Sequence, residues 1–314
     1  MVFFNPWKRG RDTRCLHVKH RMGAQRNIRL VLEYDGGGYH GWQIQPQVLT
    51  IQEVLEDRIQ RITQQRSRVI AAGRTDAGVH ALQQVANFRT RSALPVETLQ
   101  RALNALLPPD IRVWKADEVD ASFHARFTAS TKRYEYRIWN GPVPSAFSQR
   151  YTWWLPAPLD LEAMEAASKY LVGVHDFSSF RSANADRKSP VREVRWCGWG
   201  REGPLLFFCI EASGFLRYMV RSMVGTLVEV GMGKRRADDI PVLLEARDRT
   251  RAGMTAPARG LFLAAVSYPP PWQLDSAEAH GLLGIARCQG ALQGLPPAGT
   301  GNRDPGSPLG DGGV

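Results

Sequence analysis

One stretch of the sequence, residues 73–80 (GRTDAGVH), brings three chemically capable side chains close together. Arg74 lies two residues before Asp76 in the sequence, and His80 lies four residues after it. A fixed carboxylate can act as a nucleophile or a general base, and a nearby arginine lowers its pKa and keeps it ionised. An aspartate beside glycine more often only bonds its own backbone in an Asx-turn. The stretch alone therefore predicts only a turn. Whether Asp76 has a catalytic role depends on the residues that the rest of the chain places beside it.

The elements around this turn follow from hydrophobic periodicity. Apolar, strand-like residues lie on both sides of it, at 69–72 and 85–88. Thr50 and Glu53 form a T-x-x-E capping box that opens a helix reaching Ile62. Alternation and turn residues predict further strands at 28–35, 111–114, 132–138, 191–199, 205–212 and 260–268, with a five-residue hairpin turn at 200–204, and further helices at 96–107, 160–171, 215–230 and 238–248.

Two of these elements carry polar side chains for which the pattern leaves two roles open. In the strand at 132–138, Tyr134 and Tyr136 share one face, where tyrosines either fill a core or stack on a nucleic-acid base. In the helix at 215–230, Arg217 and Arg221 lie on the margin of the apolar arc. An arginine there either extends to solvent or reaches a carboxylate in a cleft.

The composition favours a polyanionic partner. The 314 residues carry a net charge of +11 and a pI near 9.9, and the excess is not confined to the basic first 21 residues. No apolar run is long enough to span a membrane as a helix. The cysteines are scattered without a C-x-x-C pair, which argues against a zinc site and suits a reducing compartment.

Several common chemistries are excluded by the absence of their motifs. The sequence has no G-x-S-x-G, H-E-x-x-H, P-loop or zinc-deaminase pattern, and its histidines are well separated. An aspartate with arginines, tyrosines and a basic surface fits an enzyme acting on a base or sugar of a nucleic acid. Two alternatives stay open: a non-catalytic RNA-binding protein, and a glycoside hydrolase, which needs a second carboxylate, with Asp176 as a weak candidate.

Residues 73–81 (GRTDAGVHA), followed by QVANF at 84–88, closely resemble the signature of the TruA family of tRNA pseudouridine synthases. Five further stretches resemble that family in the same order: 34–36 with 41–43, 125–127 with 134–136, 171–173 with 175–177, 215–233, and 256–261. The resemblance covers about residues 27–269. A nine-residue match with collinear companions is far more specific than a lone short motif.

The resemblance implies a mixed α/β (α+β) fold, the pseudouridine synthase fold, in which two similar α+β halves share one mainly antiparallel central sheet flanked by helices. Family members isomerise uridine to pseudouridine at positions 38, 39 and 40 of the tRNA anticodon stem-loop. They use neither metal nor organic cofactor and act as homodimers. The implied roles are Asp76 as the catalytic carboxylate, Arg221 pairing with it and keeping it ionised, Tyr134 stacking on the base, and Arg74 helping to expel or replace the flipped nucleotide.

A Gly-Pro-rich break at 141–145 indicates the boundary between the halves. The two predicted halves are an N-terminal half at 27–140, which carries Asp76, and a C-terminal half at 141–269. Residues 1–26 are predicted to be a basic disordered arm or a mis-assigned start, with Met22 as the alternative start. Residues 270–314 are predicted to be a Gly/Pro-rich disordered tail. We expect a cytoplasmic protein, with an organelle as the alternative because of the basic arm.

Overall fold

The computed structural model describes residues 24–182 and 189–274. These residues contain ten strands: β1 (Arg26–Tyr34), β2 (Ile70–Ala71), β3 (His80–Thr90), β4 (Ile111–Val119), β5 (Thr131–Asn140), β6 (Trp153–Leu155), β7 (Gly173–Asp176), β8 (Val191–Glu202), β9 (Leu205–Ala212) and β10 (Leu261–Ser267). They also contain five α-helices: α1 (Ile51–Thr63), α2 (Val96–Leu106), α3 (Leu161–Lys169), α4 (Met219–Gly231) and α5 (Asp239–Ala246).

All ten strands belong to one sheet, in the order β4-β1-β3-β10-β5-β9-β8-β7, with β2 paired to β3 and β6 paired to β5. Two pairings are parallel, β3 with β10 and β5 with β6, and the others are antiparallel. The predicted fold class, a mixed α+β arrangement with a large and mainly antiparallel sheet flanked by helices, is confirmed. The last strand, β10, lies in the middle of the sheet and joins the early strands to the later ones.

The predicted helix α1 begins as its sequence indicates. The Thr50 hydroxyl accepts a hydrogen bond from the Glu53 backbone N–H at 3.4 Å, which satisfies one of the unpaired amides at the helix start. The apolar face buries Ile51, Leu55 and Ile59 in the main core. The pattern of one apolar stripe thus fixes which side of α1 meets the sheet.

Several predicted boundaries differ from the structure, and two of the differences have a clear local cause. The hairpin turn between β8 and β9 has two residues instead of five, because pairing continues to Glu202 with Leu205 and Gly203 supplies a positive φ of 58°. The helix predicted from Phe215 begins only at Met219, because Tyr218 takes a left-handed conformation with φ of 65°. Residues 215–218 therefore precede α4 as a loop, which leaves Phe215 outside the helix.

The division into two halves stays a prediction. Strand β5, predicted to end the N-terminal half, pairs with β9 on one side and β10 on the other, so the sheet runs continuously through the proposed boundary. Residues 1–23 of the predicted arm and 275–314 of the predicted tail lie outside the described residues. None of the helices in the described part of the chain is long and apolar enough to cross a membrane.

Candidate active site

Asp76 lies in a tight turn between β2 and β3. The Val79 N–H donates to the Asp76 carbonyl at 3.1 Å, and Gly78 sits in the turn with a φ of 75°, which favours glycine. Beside the aspartate, the buried Thr75 hydroxyl lies 2.8 Å from the Tyr34 hydroxyl of β1. The backbone on both sides of the carboxylate is therefore held by the sheet.

A second loop, between β1 and α1, packs directly on this turn. The Trp42 N–H donates to the Thr75 carbonyl at 3.0 Å, and the Gly78 N–H donates to the Tyr39 carbonyl at 3.2 Å. Gly41 has a φ of 85°, and a Cβ atom there would lie 2.5 Å from the Thr75 carbonyl oxygen. The close approach of the two loops therefore requires glycine at position 41.

Arg221 of α4 reaches the carboxylate from the other side. Its Nη1 atom lies 3.4 Å from Asp76 Oδ2, and its Nε donates to the Ala256 carbonyl at 2.7 Å. The Ala256 N–H in turn donates to the Arg221 carbonyl at 3.0 Å. The segment that contains Ala256 therefore holds the Arg221 guanidinium in place. The Arg221 side chain is only 15% exposed, and the Asp76 side chain is 23% exposed.

Electrostatics at Asp76 combine opposing effects. Burial is the largest and raises the pKa of the Asp76 carboxyl above its ordinary value. The positive charges of Arg221 and then Arg217 lower that pKa, as does the hydrogen bond from Arg221. The sequence predicted only the lowering by arginine. The structure adds the larger contribution of burial, so the arginines counteract part of a raised pKa.

Tyr134 lies on β5, two strands away from β3, and the Asp76 charge acts on its hydroxyl. In the sheet it pairs with Leu263 of β10, and β10 pairs with the first residues of β3. The Tyr134 ring is buried and meets the Phe215 ring edge-to-face, with centroids 5.0 Å apart. Burial raises the pKa of its hydroxyl far above the ordinary value, and the charges of Tyr34 and Asp76 add to this, so the phenol stays protonated.

The two remaining side chains of the motif point to different surroundings. Arg74 is exposed and forms no ion pair with any residue that the structure describes. His80 is buried with its Nδ1 atom 3.0 Å from Asp35 Oδ1 and its ring stacked on Phe262 at 4.7 Å. His80 therefore helps to fix the loop after β1 and makes its contacts away from Asp76.

Two further residues of the site were not predicted: Phe215 was assigned to the start of a helix, and Lys132 had no assigned contact. For Arg217 the sequence left open solvent or a carboxylate in a cleft, and in the structure its charge acts on the Asp76 carboxyl. A Cβ atom on Gly73 would lie 3.6–3.9 Å from the end of the Lys132 side chain, so this lysine touches the Asp76 turn. These contacts join distant parts of the chain, and no local pattern in the sequence signals them.

Other candidate chemistry receives less support from the geometry. Asp176, the weak second carboxylate, lies in the edge strand β7, accepts from the Ser178 N–H and pairs with Arg247 at 3.4 Å. Within residues 24–182 and 189–274, no group of three or more His, Cys, Asp or Glu side chains is placed to hold a metal ion.

Comparison with known proteins connects this geometry to one family. The family described as tRNA pseudouridine synthase matches residues 30–128 and 167–269, which include Arg74, Asp76 and Arg221, while Tyr134 lies between the matched parts. The chain is 48% identical over 243 residues to tRNA pseudouridine synthase A of Acetivibrio thermocellus, covering 77% of this chain and 100% of that protein. The same comparison gives 46% identity with tRNA pseudouridine synthase A of Moorella thermoacetica, covering 77% and 99%.

Proposed function

The chain belongs to the tRNA pseudouridine synthase family, and from that premise we propose that Asp76, Arg221 and Tyr134 carry out its reaction, the isomerisation of uridine to pseudouridine in tRNA. The observation that carries the proposal is the partly buried Asp76 carboxylate, 3.4 Å from the Arg221 guanidinium, in a turn held on both sides by backbone hydrogen bonds. A carboxylate fixed in this way meets a substrate without further reorganisation.

The reaction begins with a uridine flipped out of the RNA stack, which costs a few kcal/mol of unstacking. In one route an Asp76 oxygen bonds to the sugar C1′ as the bond from C1′ to the uracil N1 breaks, and the electron pair leaves on N1. In the other route Asp76 removes a sugar proton as the same bond breaks, which produces a glycal. Either route needs Asp76 in its ionised form.

The detached uracil then rotates and its C5 atom bonds to C1′. In the first route this displaces Asp76, and in the second the glycal regains its proton. N1 gains a proton and C5 loses its hydrogen, so the product is an isomer of the uridine. Because the hydrogen leaves C5, release of tritium from RNA labelled at uridine C5 reports each turnover.

The other side chains support this chemistry in distinct ways. Arg221, with the weaker help of Arg217, opposes the effect of burial on the Asp76 pKa and keeps more of the carboxylate ionised. The neutral Tyr134 ring, supported edge-on by Phe215, supplies an apolar surface for the uracil. The exposed Arg74 guanidinium, two residues from Asp76, is free to take the place of the flipped nucleotide.

The finer assignments rest on the family resemblance and the charge. We propose that the target uridines are those at positions 38, 39 and 40 of the anticodon stem-loop, that the protein acts as a homodimer, and that it works in the cytoplasm. The net charge of +11 supports binding to an RNA phosphate backbone. Analytical ultracentrifugation with and without tRNA tests the dimer, and mapping of modified positions tests the target.

Replacing Asp76 by Asn tests the function directly. We expect the wild-type protein to release tritium and form pseudouridine in unmodified tRNA, and the Asp76→Asn variant to be slower by at least about a thousandfold. The Asp176→Asn variant is the matched control, because its amide still accepts the hydrogen bond from Ser178 and the edge strand is retained. Tritium release by Asp76→Asn at the wild-type rate would contradict the role of Asp76, and loss of activity with retained tRNA binding supports it.

A further inference from the structure

A second concave site lies beyond the Asp76 turn, between the loop that precedes β2 and the segment after β4. It encloses about 430 Å³ and is lined by three arginines, Arg66, Arg68 and Arg89, together with His124 and Ser122. None of the lining residues is acidic. We call these residues the arginine pocket. Three arginines lining one cavity form an arrangement that favours binding of an anion.

The positive charge of the arginine pocket is not neutralised by its surroundings. Within the described parts of the chain, no carboxylate forms an ion pair with Arg66, Arg68 or Arg89. Asp120, the acid closest along the chain to the segment that lines the pocket, accepts a hydrogen bond from the Ser122 N–H at 2.8 Å. Arg89 is oriented by donating to the Ala121 carbonyl at 3.2 Å. Like charges held together without a counter-charge repel one another, and an anionic ligand relieves that repulsion.

An exposed aromatic ring adjoins the pocket. Phe127 is 77% exposed, yet it is held against the His124 ring with centroids 4.3 Å apart. The Arg126 guanidinium carbon lies 5.7 Å from the Phe127 ring centroid. His124 Nδ1 accepts hydrogen bonds from the N–H groups of Arg126 and Phe127, each at 3.2 Å, which stabilises this turn. An exposed ring beside cations is the arrangement on which single-stranded nucleic-acid bases stack.

The pocket and the catalytic turn are close along the chain. Ile70 lines the pocket and Asp76 lies six residues later, so at most about 20 Å of chain separates them. The end of the Lys132 side chain lies next to Gly73 of the turn, and the charge of Arg126, beside Phe127, acts on Lys132. Burial, then Arg126 and Arg192, lower the pKa of Lys132 to about 8. Basic side chains therefore occur both in the arginine pocket and, through Lys132, beside the Asp76 turn.

We propose that the arginine pocket and the Phe127 ring bind the single-stranded RNA segment next to the target uridine, with phosphates held by the three arginines and an unpaired base stacked on Phe127. This inference rests on the proposed function, since it assigns the RNA that Asp76 modifies to a path across the surface. The contacts made here are formed equally in the ground state and the transition state. Removing them therefore raises KM and leaves kcat unchanged.

The test compares two triple variants of equal charge. One replaces Arg66, Arg68 and Arg89 by Gln, and the control replaces three exposed arginines outside this surface by Gln: Arg101, Arg201 and Arg236. We expect the pocket variant to raise KM for tRNA at least about tenfold with kcat within about twofold of wild type. The slope of log affinity against log salt concentration should fall by roughly 2, at about 0.7 for each single-strand phosphate that an arginine no longer neutralises. In the control variant the slope should change by less than half of the change expected for the pocket variant.

A separate variant, Phe127→Ala, tests the stacking. We expect KM to rise about tenfold with the salt dependence unchanged, because stacking on an aromatic ring neutralises no phosphate. Since Phe127 is exposed, this variant remains informative even if the triple variant unfolds, which thermal unfolding detects.

Wild-type KM and salt slope in the pocket variant, or equal losses in the pocket and control variants, would overturn the inference. Direct binding of tRNA, measured by fluorescence anisotropy, separates it from the proposed function. If the wild-type protein forms no pseudouridine, the proposed function fails, and the difference in binding between pocket and control variants still decides the location of the RNA.

Discussion

Replacing Arg221 by Gln removes the charge that faces Asp76 while keeping an amide that can donate to the Ala256 carbonyl. At 3.4 Å and an effective dielectric constant of about 20, Coulomb's law gives roughly 5 kcal/mol for the attraction between the two charges. Solvent reaches 15% of the Arg221 side chain and 23% of the Asp76 side chain, and this screening reduces the effect. A remaining loss of about 1.4–2.8 kcal/mol corresponds to a rate lower by tenfold to a hundredfold on the acid limb of the pH profile, where Asp76 is mostly protonated.

The pH profile identifies the cause of that loss. Burial raises the pKa of Asp76, and Arg221 is the largest contribution that lowers it. Without Arg221 the pKa of Asp76 rises further, so a higher pH is needed to ionise the carboxylate. The acid limb of the rate profile should therefore move to higher pH in Arg221→Gln, and raising the pH should recover part of the lost activity. Arg221→Lys, which retains the charge, should keep the acid limb closer to that of wild type.

The assay is single-turnover tritium release from RNA labelled at uridine C5, measured from pH 5 to 9 with enzyme in excess. Arg217→Gln provides a graded comparison, because Arg217 lowers the Asp76 pKa less than Arg221 does and should shift the acid limb less. Thermal unfolding of each variant checks that the fold is retained. If Arg221→Gln loses activity with the acid limb unmoved, Arg221 does not act by keeping Asp76 ionised, and the electrostatic reasoning is refuted.

Three further predictions concern the loops and the basic surface. Gly41→Ala should lower the free energy of unfolding by about 1–3 kcal/mol or more, because Gly41 has a φ of 85° and an added Cβ would clash with the Thr75 carbonyl. Gly38 has open space around it, so the control Gly38→Ala should leave the free energy of unfolding unchanged. Urea denaturation measures both. Asp35→Asn should lower the free energy of unfolding by about 1–3 kcal/mol at pH 7 and by less at pH 3. The hydrogen bond with His80 is the largest of the effects that lower the pKa of Asp35, and the stabilisation that results is lost as the pH falls below the ordinary pKa of an aspartate. Equal losses at both pH values would contradict this. Binding of tRNA should weaken as pH rises through about 8, where Lys132 loses its charge, and Lys132→Gln should bind with little dependence on pH over that range.

Much of the fold follows from patterns between residues close in sequence. The Thr50 cap, the apolar stripe of α1 and the strand that becomes β1 are all visible in the order of residues, because each depends on neighbours within a few positions. The positions of Gly73 and Gly78 around Asp76 likewise indicate a turn from the sequence alone. Boundaries were less accurate where a single residue changed the backbone, as Tyr218 does before α4.

The site itself was predicted from the family resemblance and could not be derived from local patterns. Arg221 is separated from Asp76 by 145 residues, and nothing in the periodicity of α4 chooses between solvent and that carboxylate. The choice depends on the Ala256 carbonyl, which holds the guanidinium, and on the docking of α4 against the sheet.

Tertiary structure also decides the electrostatics and the neighbourhood of Asp76. Strand β10 inserts between β3 and β5 and thereby sets the distance from the Asp76 turn to Tyr134. Burial of Asp76 depends on surfaces contributed by distant segments, so the sequence indicated the arginine that lowers its pKa but not the larger opposing effect of burial. The chain order specifies which residues can form a turn, helix or strand, whereas desolvation and long-range charge pairing arise only when the sheet brings those elements together.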